Sequence, residues 1–463
     1  MELHWPTLER WIMGEAWIGS AIQTHLTELC DRIGPRWASS PAEWQTVQYI
    51  RDHFVTSGLV NVALEEFPLH SWRHGPATAT LTTDDQAVHI LPFNRCPPVT
   101  LTAPLVDVGF GTPREVADAQ AQLPGAIAIM ALVNEPFTAP ASLTIRLQAL
   151  AQAGAASAVV VDRKEGGRVE YHSAGEWLDP GPDTHPLPCV AVSREGGVLL
   201  RKRARLGQAL HLAVSSEFFT APAHNVVAEL PGAQWPDEHL VLGGHHDTVY
   251  GAPGGNDNAS GTLVVLEVAR VLAQLQGQRG VAPGRTIRFV TYSAEEQTLQ
   301  GAYAYVARHY GTGGLGEAPP RLAINLDELA TGTMKGLVLA FPHLRPLIQR
   351  QFDEMGDGLV AHVMAQLDYS SDHYPFLRAG IDAAFLWRWR FVGRHPDADF
   401  HHEPGDTTDK VRPRELKEYI GYLARLLLRL SHLPPGAWPV NPVTPAEVLA
   451  RLERERGQVI RVF

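Results

Sequence analysis

The chain has 463 residues, 45% hydrophobic and 19% charged, with 41 Gly and 35 Pro; this excludes a disordered or fibrous protein and supplies core enough for two or three domains. Its formal charge of −11 argues against nucleic acid or an anionic membrane as the main partner. Cys30, Cys96 and Cys189 are widely spaced and offer neither a disulfide framework nor a thiolate zinc site, so any metal must be held by His, Asp and Glu.

Glu2, Glu9, Arg10 and Glu15 interrupt the apolar residues of the N-terminus. That pattern lacks the basic start and apolar stretch of a signal peptide, and no run later in the chain reaches the ~18 apolar residues of a membrane span, so a cytoplasmic protein is expected. Ser40-Pro41-Ala42-Glu43 reads as a capping box opening a helix at 41–57, with Trp44, Val47, Ile50 and Phe54 on one face. After Phe67 short alternating β pieces follow, then a strand at Ala126–Val133, a helix near 141–153, a strand at Ala158–Val161, a strand through Val190 and a helix near 195–205.

From about residue 220 strands and helices alternate regularly: His239–Gly244, Gly261–Leu275, Arg285–Ser293, Leu299–Arg308 and Leu322–Leu326, the pattern of a parallel α/β sheet. A strand near Ala383–Trp387 and a long helix from Pro413 with Leu416, Ile420, Leu423 and Leu427 on one face come next, and Thr444-Pro445-Ala446-Glu447 is a further capping box.

Acidic and imidazole side chains gather just after these strands, where open parallel sheets place their sites. In Gly243-Gly244-His245-His246-Asp247, residues 245 and 247 share one face of an extended chain, so His245 can bind metal while Asp247 orients it. The loop Gly254-Gly255-Asn256-Asp257-Asn258-Ala259-Ser260-Gly261 runs into a helix, and its Asn, Asp and Ser suit either helix capping or metal. Glu295-Glu296 suits either a solvated helix start or a division of labour between ligand and proton carrier. Asn325-Leu326-Asp327-Glu328 ends an apolar strand, and His401-His402-Glu403-Pro404-Gly405-Asp406 lies in a loop whose Pro-Gly excludes the helical H-E-x-x-H motif. No P-loop or G-x-S-x-G elbow competes with this set.

Taken together with Ser371-Asp372-His373-Tyr374-Pro375-Phe376 and Ile33-Gly34-Pro35-Arg36, these segments resemble, in order and spacing, the M28 family of co-catalytic zinc exopeptidases. The resemblance implies an α/β zinc-peptidase core with a mixed, centrally parallel sheet flanked by helices, and an inserted β-rich unit similar to the protease-associated (PA) domain. The expected boundaries are 1–77 and 219–432 for the peptidase domain, 78–218 for the insert and 433–463 for a tail with a short helix. Two Zn2+ per chain are implied: His245 and Asp327 on one, Glu296 and His402 on the other, Asp257 bridging, and Glu295 as general base. Asp247 and Asp406 are expected beside His245 and His402.

Many family members carry Tyr before the last ligand, where this chain has His401, whose N–H can support an oxyanion; His401 and His402 could exchange roles if the register slipped. The implied activity is hydrolysis of short peptides, most readily as an aminopeptidase. A carboxypeptidase or dipeptidase is the alternative, with Arg388, Arg390 and Arg394 as candidate carboxylate grips and Trp387 and Trp389 as an apolar pocket wall. A non-catalytic PA-domain binding protein and an aminoacyl cyclotransferase are weaker alternatives. Homo-oligomerisation is left open.

Overall fold

The computed structural model describes residues 4–173, 186–330, 332, 334, 336–356, 361–386 and 399–455; Arg388, Arg390, Arg394, Trp387 and Trp389 lie outside them. Two compact units divide the chain, one built from Met1–Leu69 and Pro222–Glu453, the other chiefly from His70–Ala221. The boundaries expected at 78 and 218 fall inside two long strands, Val60–Leu81 and Ala209–Leu230, which carry the chain out of the first unit and back. A strand that continues through a boundary leaves no turn residues to mark it.

The first unit holds a mixed sheet in the order His362–Ala365, Gly336–Leu339, Ala383–Leu386, Ala323–Asn325, Trp235–His245, Arg285–Tyr292 and Ala209–Leu230. The four central strands, from Ala383–Leu386 to Arg285–Tyr292, are mutually parallel; Gly336–Leu339 and Ala209–Leu230 flank them antiparallel, and His362–Ala365 pairs parallel with Gly336–Leu339. Arg285–Tyr292 is buried along its whole length, as a parallel strand covered on both faces should be.

Helix Ser260–Arg279 packs against Pro413–His432, Trp5–Ile18 and Pro41–Thr56. Leu416, Ile420, Leu423 and Leu427 of the C-terminal long helix are fully buried in that core, so the periodicity read from the sequence is the packing face. Sequence patterning assigns no element to residues 4–33, yet Trp5–Ile18 and Ile22–Leu26 are helical and bury Ile12, Ala16, Ile22 and Leu26. Tertiary burial, rather than local patterning or capping, explains these elements. Thr444 and Glu447 form the expected capping box, with Glu447 Oε2 accepting from Thr444 N and Thr444 Oγ1 from Glu447 N.

In the second unit Val99–Asp107, Ile127–Ala131, Ser157–Val161 and Cys189–Val192 are parallel, with Leu91–Pro92 antiparallel at the edge. Helices Pro113–Asp118, Leu143–Gln152 and Arg194–Arg205, capped by Thr112, Ser142 and Ser193, lie between strands in the chain. The insert is thus mixed α/β, with more helix than a β-rich unit implies. Its own core includes Leu123, Ala128, Met130, Leu147, Leu150 and Val160. Among the described residues no helix is long and apolar enough to cross a membrane.

Candidate metal centre

Parallel pairing sets the site. Tyr292 lies opposite His245 and Asn325 opposite Gly243, so three neighbouring strands deliver His245, Glu295–Glu296 and Asp327 to one sheet edge, their C-terminal one. His245 Nε2 stands 3.2 Å from Asp257 Oδ1, 3.5 Å from Asp327 Oδ1 and 4.0 Å from Glu295 Oε2. His402 Nε2 is 3.2 Å from the other oxygen of Asp257 and 3.2 Å from Glu296 Oε2. One carboxylate therefore faces two imidazoles, one through each oxygen.

The loop before helix Ser260–Arg279 both caps and delivers. Asn258 Oδ1 accepts from Gly261 N and Glu328 N, its Nδ2 donates to Leu326 O, and Ser260 Oγ accepts from Leu329 N while donating to Asn256 O. These bonds lock the loop to the strand end that carries Asp327, while Asp257, joined to Asn258 by a cis peptide, projects between the imidazoles. A Cβ on Gly244 or Gly261 would lie 2.4 or 2.3 Å from Leu326 O, so glycine at both places is what allows this approach.

Four carboxylates (Asp257, Glu295, Glu296 and Asp327) meet two imidazoles here; Asp327 and His402 are half-buried and the other four are buried. Burial, opposed by His245 but reinforced by Glu296, Asp372 and Asp327, drives Glu295 well above the usual carboxylate range. Burial also lifts Glu296, against the pull of His402. For Asp257 burial is outweighed by hydrogen bonds from His245, His401 and His402, which hold it well below that range. Both His245 and His402 lose to burial but gain more from the facing carboxylates, chiefly Glu295 and Glu296 respectively, and are driven well above the ordinary imidazole value.

Such a set, short of positive charge, fits divalent metal. Donors on a tetrahedral ion at 2.0–2.2 Å stand roughly 3.4 Å apart, close to the 3.2 and 3.5 Å separations around His245 and the 3.2 Å separations around His402.

The supporting residues differ from expectation in places. Asp247 lies 3.5 Å from His245 Nδ1 through its carboxylate, but its main-chain oxygen is nearer at 3.1 Å. The carboxylate instead accepts from Glu295 N and Glu296 N, so it orients the Glu pair as well as the imidazole. Asp406, expected beside His402, accepts from Asn256 N and Asp257 N at 2.8 and 2.9 Å and so fixes the Asp257 loop. Burial, partly offset by those N–H groups, raises it to about 7.

His401 stacks on His402 with ring centroids 3.6 Å apart, and its Nδ1 lies 3.0 Å from Glu328 Oε1 and 3.1 Å from Asp257 Oδ2. Both histidines reach Asp257, and His402 also approaches Glu296. His402 holds φ 57°, a conformation costly for a residue with a Cβ and found chiefly where surroundings impose it. Asp372 is wholly buried with neither carboxylate oxygen hydrogen-bonded among the described residues, and burial with nearby Asp247, Asp327 and Glu296, against the pull of His245, drives it well above the usual range. His373 Nε2 is 3.5 Å from Asp368 Oδ1.

Three supporting residues escape the sequence reading. Arg36, fully buried, donates to the carbonyls of Leu29, Gly34, His246, Pro253 and Gly254, tying the His245 strand to the Asp257 loop. Ser40 Oγ accepts from Glu43 N as a cap should, but the Glu43 carboxylate turns away from Ser40 to accept from Ser293 Oγ at 2.8 Å and to meet His246 Nε2 at 3.1 Å. The expected capping box is therefore half made. Glu328 accepts from Asn256 Nδ2 and faces His401. A charged side chain amid Gly, Pro and apolar neighbours was the available signal for Arg36; the other two look like ordinary helix and turn residues.

Residues 225–427 match Peptidase family M28. The chain is 28% identical over 354 residues to a probable leucine aminopeptidase 2 of Aspergillus oryzae, covering 74% of this chain and 66% of that protein. To carboxypeptidase Q of Bos taurus it is 23% identical over 411 residues, covering 84% and 81% respectively. Among solved structures, BSAP, a zinc aminopeptidase from Bacillus subtilis, superimposes with a TM-score of 0.70 at 21% identity over 91% of this chain and 97% of its own; that likeness is one of fold.

Proposed function

We propose that this chain, whose residues 225–427 match Peptidase family M28, is a metal-dependent exopeptidase of that family, an aminopeptidase of short peptides using two Zn2+ per chain. The observation that carries the reading is the placement of Asp257 between His245 and His402, with Asp327, Glu296 and Glu295 around them. His245 and Asp327 would hold one ion, His402 and Glu296 the other, and Asp257 would bridge. Bound there, two such ions would lower the pKa of a water and polarise a peptide carbonyl.

Glu295 takes a proton from the attacking water and delivers it to the leaving amine, a role suited to a carboxylate whose environment raises its proton affinity. Asp247 holds Glu295 and Glu296 by their backbone N–H groups. His401 offers a third imidazole beside Asp257, and its N–H can reach a developing oxyanion once substrate displaces its contacts to the carboxylates. The zinc and aminopeptidase assignments draw support from the named relatives, which also include carboxypeptidase Q. The second unit is read as a PA-like insert on its sequence resemblance, and the buried thiols of Cys30, Cys96 and Cys189 fit a reducing, cytoplasmic setting.

Hydrolysis of a dipeptide panel tests polarity and metal together, each peptide offered free, amine-blocked or amidated, with chelated protein as control. Cleavage of amidated but not amine-blocked peptides by metal-replete protein alone is expected. The reverse preference makes the protein a carboxypeptidase, and activity unaffected by chelation overturns the mechanism.

A further inference from the structure

Away from the Asp257 centre, His25 on helix Ile22–Leu26, His53 on Pro41–Thr56 and Glu267 on Ser260–Arg279 bring one donor atom each to within 4.8 Å of one another. His25 Nε2 lies 3.3 Å from Glu267 Oε1, and the two imidazole rings meet edge to face at 4.6 Å. His53 Nε2 is buried and has no hydrogen-bond partner among the described residues. We propose that these three side chains form a further metal site, for a zinc-like divalent transition-metal ion, which clips the N-terminal helices to the helix that follows the Asp257 loop.

Three observations carry it. The 3.3 Å separation between the His25 and Glu267 donors suits two ligands of one ion at 2.0–2.2 Å, which stand roughly 3.4 Å apart. Second, His25 Nδ1 meets Tyr49 Oη at 2.6 Å, and a hydrogen bond at the far nitrogen is how a ligating imidazole is oriented. Third, Arg270 binds both oxygens of Glu267 and also reaches Glu15 Oε1. Two carboxylates thus share one guanidinium and leave a negative charge that a cation would offset, while Glu267 Oε1 keeps a lone pair toward His25. The alternative is a metal-free buried network in which His25 donates to Glu267, and it leaves His53 Nε2 without purpose.

Zinc stoichiometry by inductively coupled plasma mass spectrometry, after dialysis of full-length wild type and His53→Gln against the same buffered zinc, tests the site. Wild type is expected to retain one equivalent more than the variant. Equal stoichiometry overturns the proposal, whatever number of ions the Asp257 centre holds, so failure here and failure of the peptidase reading are separable. A second readout needs no variant: deuterium exchange at the imidazole C2 positions of wild type, by peptide mass spectrometry, slows at both His25 and His53 when zinc is added. Unchanged exchange at both counts against the site.

Discussion

On the proposed reading, Asp257 and Glu295 divide the chemistry at the scale of single residues. Three imidazoles stabilise Asp257 as an anion, while burial and neighbouring carboxylates make Glu295 hold a proton more tightly than an exposed carboxylate. Replacing Glu295 with Gln keeps shape and removes the proton carrier, so a folded, zinc-loaded Glu295→Gln should lose about 10²–10⁴-fold in kcat. Retention of near wild-type turnover with unchanged zinc content would remove Glu295 from the mechanism. The neighbouring histidines separate in the same assay. His402→Ala should lose zinc, because it faces both Asp257 and Glu296, whereas His401→Ala should keep zinc and lower kcat; the opposite result exchanges their roles. His245, Asp257, Glu295, Glu296 and Asp327 were legible as candidates because each follows a strand or opens a helix, whereas His402 lies in a loop and stood out only through the family resemblance. Glu43 and Glu328 were not, since a Glu three residues after Ser and a Glu in a turn have local explanations that hide contacts to His246 and His401.

Elements matter here through where they end. Strands Trp235–His245, Arg285–Tyr292 and Ala323–Asn325 were readable from apolar runs bounded by turn residues, and their parallel order follows from the helices between them. The N-terminal helices and the full extent of Val60–Leu81 were less readable, because what stabilises them is contact with distant parts of the chain. The two glycines around Leu326 O give an element-level test. Gly261→Ala places a methyl against the Leu326 carbonyl on one side and the locked Asn258 side chain on the other, so it should lower both melting temperature and zinc affinity. Gly277→Ala in the same helix meets open space and should stabilise by about 0.5–1 kcal/mol. Equal effects from both substitutions, measured by thermal melts and zinc titration, would show that the approach of Leu326 to the loop does not matter. Arg36→Met belongs to the same scale: it strands carbonyls from three segments, and unfolding in urea should show a loss of at least about 3 kcal/mol, with little change meaning that water replaces the guanidinium.

Acid stability is a property of the whole molecule, and one buried histidine far along the strand from the site reports on it. His239 is buried, its Nε2 meets Tyr310 Oη at 2.9 Å, and burial followed by the charge of Arg288 lowers its pKa from 6.5 to about 4. Between those values the unfolded chain takes up a proton that the folded one refuses, so stability present above pH 6.5 is lost as pH falls toward 4. Fully expressed, the difference is on the order of 3 kcal/mol at pH 4. Asp382 works in the opposite sense: burial raises it to about 7 from 3.8, so its contribution is full at low pH and fades as pH rises through that window. A wild-type pH profile would mix the two, and the comparison must therefore be with a variant. His239→Gln keeps a hydrogen-bonding side chain opposite Tyr310 and cannot titrate, while Asp382 continues unchanged in both proteins and cancels. Urea unfolding of the pair at pH 7.5 and pH 4 should show the advantage of wild type over the variant shrinking by about 3 kcal/mol on acidification. Parallel stability curves would mean that His239 is protonated in the folded protein as readily as in the unfolded chain, and that the Tyr310 contact survives the charge.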